Sequence, residues 1–334
     1  ISLYYIMTVI DGIEIDCLYY KMNDIKFSIK NNEPIEDKLH VIIIISNPCF
    51  YKRRYILINE FVKRIEEEEN VELYIVEMVY EGQNFVITDK SNPKHLQLNA
   101  QTPIWHKENM INLGVKYLLP SNYKAFAWID SDIEFENNNW ALETLKILNG
   151  SKDVVQLFSH CVDMNKDYTT LNLFQSFGYN YNKNKKYSSK KLDYWHPGFA
   201  WAMTCKSYEK LGGLFQVGIL GSGDNVIALS LVGKADIIIN KKYSDGYKNA
   251  ILNYQKNAKS LRLGYVPGVI RHHFHGNKQN RKYVERNEIL IKHNYSPYLH
   301  LTTDEKGILV PTEHFKEEFK EDIMNYFRER KEDD

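Results

Sequence analysis

The 334-residue chain carries 43 basic and 43 acidic side chains, so no net field draws it to nucleic acid or an anionic membrane, and any phosphate must be bound locally. Hydrophobic residues at 43% and charged residues at 26% give an ordinary soluble globular balance that excludes a disordered chain. Cys17, Cys49, Cys161 and Cys205 are scattered without C-x-x-C spacing, which argues against a zinc site and for a reducing, cytoplasmic setting. No run approaches the roughly 18 apolar residues of a membrane helix, and the first ten residues lack the basic start and cleavage site of a signal peptide.

Residues 1–38 hold short β-like pieces at 4–10 and 13–20 and end in a polar run, reading as an N-terminal extension. The core begins at 39–46, where V-I-I-I-I is β-branched throughout and closed by Asn47-Pro48, the mark of a strand buried on both faces. Tyr55, Ile58, Phe61, Val62 and Ile65 follow at helical spacing and 71–78 alternates, completing a β-α-β unit. A helix at 107–118, stopped by Pro120, leads to a strand at 124–129. A helix at 140–148, a strand at 154–158 and a helix at 222–231 continue the alternation, which predicts an α/β fold with a mostly parallel central sheet and helices on both faces. The basic stretch 183–191 reads as a mobile loop, and the segments 160–195 and 241–262 as loops without a pattern. Phe315, Phe319, Ile323 and Phe327 repeat every four residues, giving an amphipathic helix docked on the core. The expected division is an extension at 1–38, a catalytic domain at 39–300 and a C-terminal segment at 301–334.

The strand at 124–129 ends in Asp130-Ser131-Asp132, at the sheet edge where open α/β proteins bind ligands. Two carboxylates facing one point repel unless a cation lies between them, and Mg²⁺ or Mn²⁺ prefers such oxygens while keeping positions for phosphates. An isolated D-x-D is more often a solvated turn, so other segments decide. His272, His273 and His275 crowd four positions after a short strand, which raises the case for metal ligation. Gly198 lies in an aromatic strand at 195–202, where it lets a backbone or ligand approach closely. Asp224, in the turn Gly221-Ser222-Gly223-Asp224-Asn225, either caps the next helix or offers a carboxylate to a reacting hydroxyl. Lys278, Arg281 and Lys282 share one helical face near the histidines.

Together these segments resemble glycosyltransferases of the GT-A fold, nearest the β-1,4-galactosyltransferase and polypeptide N-acetylgalactosaminyltransferase groups, over residues 39–300. W-H-K-E-N-M-I-N-L-G at 105–114 is similar to the family's helix before the D-x-D strand. L-G-G-L-F at 211–215 and I-L-G-S-G-D-N at 219–225 resemble its G-G-x-[FL] and W-G-G-E-[DN] motifs, with Ser222 and Asp224 replacing the common Gly and Glu and no Trp before Gly221. V-I-R-H at 269–272 resembles the galactosyltransferase metal-histidine segment, and H-F-H-G at 273–276 the H-F-x-G of glycogenin-like enzymes.

The resemblance implies a Rossmann-like GT-A domain of hexosyltransferase type. It would move a sugar from a nucleotide-diphosphate donor, UDP-linked foremost, to a hydroxyl of a glycan or glycoprotein with Mn²⁺ or Mg²⁺. It assigns the metal to Asp130, Asp132, His272 and His275, with His273 open. It assigns the donor to Ser46, Asn47, Arg54, Lys107, Asp130, Ser131, Gly198 and Lys278. Sugar or acceptor contacts fall to Trp195, Gly221, Ser222, Gly223 and Asn225, and the base to Asp224. The rivals are an inactive sugar-nucleotide or glycan-binding module, suggested by the departures at Ser222 and Asp224, and a sugar nucleotidyltransferase, disfavoured because 46–54 lacks glycine.

Overall fold

The β-branched run forms the strand Leu39–Ser46, whose side chains alternate between two cores. Leu39, Val41, Ile43 and Ile45 share a cluster with Ile58, Phe61 and Ile65 of helix Lys52–Glu66 and with Trp140 and Leu145 of helix Trp140–Leu148. Ile42 turns the other way, toward Met110, Ile111 and Leu113 of helix Lys107–Leu118. Burial on both faces explains why every position of the run is apolar. The computed structural model describes residues 8–10, 13–15, 30, 36–189 and 194–334.

A seven-stranded sheet runs in the order Leu263–Tyr265, Val154–Gln156, Ala200–Thr204, Ala125–Ile129, Leu39–Ser46, Val71–Val79, His95–Asn99. Ala200–Thr204 is antiparallel to both neighbours, and the other pairings are parallel. A five-stranded sheet follows the order Trp195–His196, Thr170–Ser176, His160–Met164, Val269–His272, Ile133–Phe135. Residues 130–132 carry the chain from the Ala125–Ile129 strand of the first sheet into the Ile133–Phe135 strand of the second.

Several expectations change. The aromatic segment 195–202 is two strands, Trp195–His196 and Ala200–Thr204, rather than one. Between them Pro197 has no N–H to give, Phe199 takes φ +80°, and the buried Gln156 amide donates to the carbonyls of His196 and Gly198, both at 3.0 Å. The pattern-free segment 241–262 contains helix Asp245–Ala258, which buries Tyr247, Ile251, Tyr254 and Ala258. Residues 160–176 form the paired strands His160–Met164 and Thr170–Ser176. The basic stretch 183–191 is described only through 189. Of the N-terminal extension, Thr8–Ile10 pairs antiparallel with Ile13–Ile15, and most of the remainder lies outside the described residues. Helix Glu317–Glu329 docks as its spacing predicts, burying Phe319, Ile323, Tyr326 and Phe327 in the larger cluster. Among the described residues, no helix is long and apolar enough to cross a membrane.

Gln156 also accepts from the Gly178 N–H at 3.0 Å, drawing helix Phe177–Asn182 onto strand Leu263–Tyr265. A Cβ on Gly178 would lie 2.4 Å from the Gly264 carbonyl oxygen, a backbone atom that cannot swing aside. Gly178→Ala should therefore lower stability by about 1–3 kcal/mol, read as a lower urea midpoint with an unchanged slope.

Candidate functional site

Strand register assembles the histidine end of the site. In the smaller sheet His272 pairs with Ile133 on one side and with Asp163 on the other, and the His273 N–H donates to the Asp132 carbonyl at 2.8 Å. Asp132 is thereby set beside the histidine segment, with its Oδ2 2.7 Å from His275 Nε2 and 3.6 Å from His272 Nε2. Ligand atoms of Asp132, His272 and His275 lie within 4.8 Å of one another. His273 faces Glu134 at 3.5 Å and stays outside the group.

The chemistry of this trio fits a divalent ion. His272 Nδ1 donates to Asp163 Oδ1 at 2.7 Å, which orients the ring and turns Nε2 inward. His272 Nε2 and Asp132 Oδ1 are buried and make no hydrogen bond, each at a cost of about 1–3 kcal/mol that a ligated cation would remove. Burial alone would raise the Asp132 pKa, but His275 and His272 hold it well below the ordinary range, so the carboxylate is ready as an anionic ligand. Asp163 is held at about 2, against its burial, by His272 and Lys278.

Asp130 lies outside this group. Its carboxylate turns to Lys107 Nζ at 2.5 Å, and Lys107 in turn reaches Asp224 Oδ2 at 3.3 Å. Burial and neighbouring Asp224 and Asp132 lift Asp130 to about 6 despite Lys107. The Lys107 ammonium, disfavoured by burial, is held above its ordinary range by the two aspartates. Two adjacent clusters result, a metal-type group and an Asp130–Lys107–Asp224 chain, and both line one cleft of ≈ 860 Å³. Gly198 lines it too, where a Cβ would stand 3.7 Å from Asp224 Oδ2.

Ser46, Ser131, Ser222, Asn225 and Lys278 also line the cleft. Lys278 is ion-paired with Asp163 and so reaches the site beside His272. Arg54 lines the cleft but is committed to Glu332 through two hydrogen bonds, at 2.5 and 2.7 Å, and to the Ser46 carbonyl. Asn47 is turned away from the expected donor contact, its amide tied to the Tyr51 backbone by two 2.9 Å bonds. Trp195 is buried edge-on against Phe177 and Tyr187, a core aromatic rather than a sugar platform. Gly221 and Gly223 act through the backbone: the first takes φ +89° beside Trp105 and Arg286, and at the second a Cβ would collide with Glu108.

Sequence reasoning missed Asp163, Glu108, Arg286, Arg330 and Glu332. Glu332 is 1% exposed and gathers Arg54, Arg330 at 2.7 Å and His275 at 3.8 Å. Apart from Glu108, which lies in the 105–114 segment, none of these residues carries a local motif. A signal lay only in Glu108, an acid beside Lys107 on a helix whose other face is apolar.

No family model and no curated protein matches the sequence. Among solved structures, the chain is similar to a Drosophila β-1,4-galactosyltransferase 7 mutant in complex with manganese, UDP-Gal and xylobiose. That match has 13% identity and a TM-score of 0.38, over 73% of this chain and 74% of that one. A mannosyltransferase from Pyrobaculum calidifontis in complex with GDP-Man and Mn²⁺ matches at 13% and 0.38, over 81% and 68%. A Bacillus anthracis protein described as a glucose-1-phosphate thymidylyltransferase matches at 8% and 0.36, over 70% and 88%. These neighbours are nucleotide-sugar enzymes of mixed α/β fold.

Glu108 is buried under Gly223, and burial first, then Asp224, push its carboxyl up to about 8 from an ordinary 4.5. The folded chain holds this proton more tightly than the unfolded one. Its contribution to stability is therefore full below about pH 4.5 and is lost as pH rises through about 8. Glu108→Gln should shrink the fall in urea-unfolding free energy between about pH 5 and about pH 9.

Proposed function

We propose that the protein is a metal-dependent glycosyltransferase of GT-A type, moving a hexose-type sugar from a nucleotide-diphosphate donor, UDP-linked foremost, to a hydroxyl of a glycan or glycoprotein. The observation that carries this reading is the Asp132–His272–His275 group, with its two unpartnered inward atoms, sharing a cleft with Asp224. Mn²⁺ or Mg²⁺ held there would supply Lewis-acid neutralisation of the departing diphosphate. Asp132, His272 and His275 would hold the ion, and Asp163 orients the His272 ring toward it.

Lys278 and Arg281, beside these residues, bring cationic donors to the same phosphates. Arg281 meets His275 Nε2 at 2.7 Å, so its guanidinium stands at the edge of the metal group. Lys107 holds Asp130 and Asp224 apart as a cation between two anions. Asp224 accepts the acceptor hydroxyl's proton as that oxygen attacks the anomeric carbon, while Gly198 and Gly221 let the sugar approach the backbone.

Calorimetry with UDP and Mn²⁺, paired with a transfer assay, tests the assignment. Asp132→Asn should weaken Mn²⁺-dependent UDP binding at least about a hundredfold, and Asp163→Asn about 10–100-fold through the loosened His272. Asp224→Asn should leave UDP binding within about twofold and lower turnover by about 10²–10⁴. An Asp132→Asn protein with an unchanged Mn²⁺ response would remove the metal assignment. Release of pyrophosphate instead of UDP would make the protein a nucleotidyltransferase.

A further inference from the structure

Most cations of the cleft have a carboxylate partner. Lys107 meets Asp130 and Asp224, Lys278 meets Asp163, and Arg54 and Arg330 meet Glu332. Among the described residues two lack one: Arg281, which bonds His275 and Tyr283 and also leaves Nε without a partner, and Arg286. Arg286 is 7% exposed and lines the cleft, yet among the described residues no carboxylate pairs with it. Its guanidinium donates to the Ser222 hydroxyl at 2.7 Å and to the Tyr326 hydroxyl at 3.0 Å and lies 5.2 Å from the Tyr283 ring centre, while Nε has no partner. A guanidinium buried among neutral groups is unfavourable until an anion reaches it, and its planar fork matches a carboxylate with two parallel hydrogen bonds.

The position of Arg286 separates it from the diphosphate. Arg281 already stands at the metal group through His275. Arg286 instead grips Ser222, two residues before Asp224, on the turn that opens helix Gly223–Leu231. Ser222 sits at the N-cap with φ +73° and no capping bond from its side chain, its hydroxyl oxygen instead accepting from Arg286. An anion held by this pair would therefore lie at the transfer end of the cleft, beside the proposed base.

We propose that Arg286, with Ser222, is a subsite for a carboxylate on one of the two reacting sugars, so that the enzyme acts on a uronic-acid substrate. This rests on the glycosyltransferase reading and narrows it. The carboxylate belongs either to the donor sugar or to the acceptor, and one experiment has an arm for each.

Binding of UDP, UDP-glucose and UDP-glucuronic acid is measured by calorimetry with Mn²⁺ on the full chain. Binding of p-nitrophenyl β-D-glucoside and β-D-glucuronide is then measured with UDP and Mn²⁺ present. The acid should bind about tenfold or more tighter than its neutral twin in one arm, which identifies the source of the carboxylate. Arg286→Met should erase that preference and leave UDP binding as it was. Arg286→Lys keeps the charge and the aliphatic stem without the fork, and should lose part of the preference even if the methionine variant unfolds. No preference in either wild-type arm overturns the proposal. An Arg286→Met variant that weakens UDP, UDP-glucose and UDP-glucuronic acid alike also overturns it, by assigning Arg286 to the diphosphate. Failure of the wild type to bind UDP with Mn²⁺ is a separate result, which removes the glycosyltransferase reading itself.

Discussion

The pairing of Val269–His272 with two partners at once is the constraint on which the site depends. One neighbour, Ile133–Phe135, begins directly after the acidic turn, and the other, His160–Met164, carries Asp163. Because side chains alternate faces along a strand, a slip of one residue in either ladder would send His272 away from Asp132 or Asp163. The metal-type geometry is thus a property of a small sheet, fixed by backbone hydrogen bonds before any ion is considered. The larger sheet supplies a rigid strand, Ala125–Ile129, fully buried, that delivers the turn to that place.

The two acids of the turn do different work because they leave it in different directions. Asp132 faces two histidines and is kept strongly acidic, whereas Asp130 faces a lysine within the acid-rich wall and is made a weaker acid. Neighbouring residues of one type therefore reach opposite electrostatic environments. Lys107 is what keeps the second cluster from repelling itself, since Asp130 and Asp224 both lean on its one ammonium group.

The β-branched strand, the β-α-β start and the terminal helix were legible because their apolar periodicity is strong and local. The segments that bring His272, His275 and Asp224 to one cleft stood out in the sequence because a histidine cluster follows a short strand and Asp224 follows a glycine turn. Helix Asp245–Ala258 was not: its buried face is largely tyrosine, at 247 and 254, which a hydrophobic pattern underweights. Sequence left Trp195 open between a sugar platform and a core aromatic, because an aromatic near a glycine looks the same whether it faces a ligand or, as here, Phe177. Asp163, Arg286 and Glu332 were invisible because each acts through a partner far away in the chain and carries no motif.

Glu332 illustrates the last point in time as well as in space. It joins the wall of the cleft by holding Arg54, a residue 278 positions earlier, through two hydrogen bonds. The counter-charge of Arg54 is supplied from 278 positions later, so this guanidinium is paired only once the chain has been made through Glu332. The nascent protein can hold a finished central sheet and still lack a finished cleft. This wall of the cleft is closed by one long-range pairing rather than built up locally as the chain lengthens.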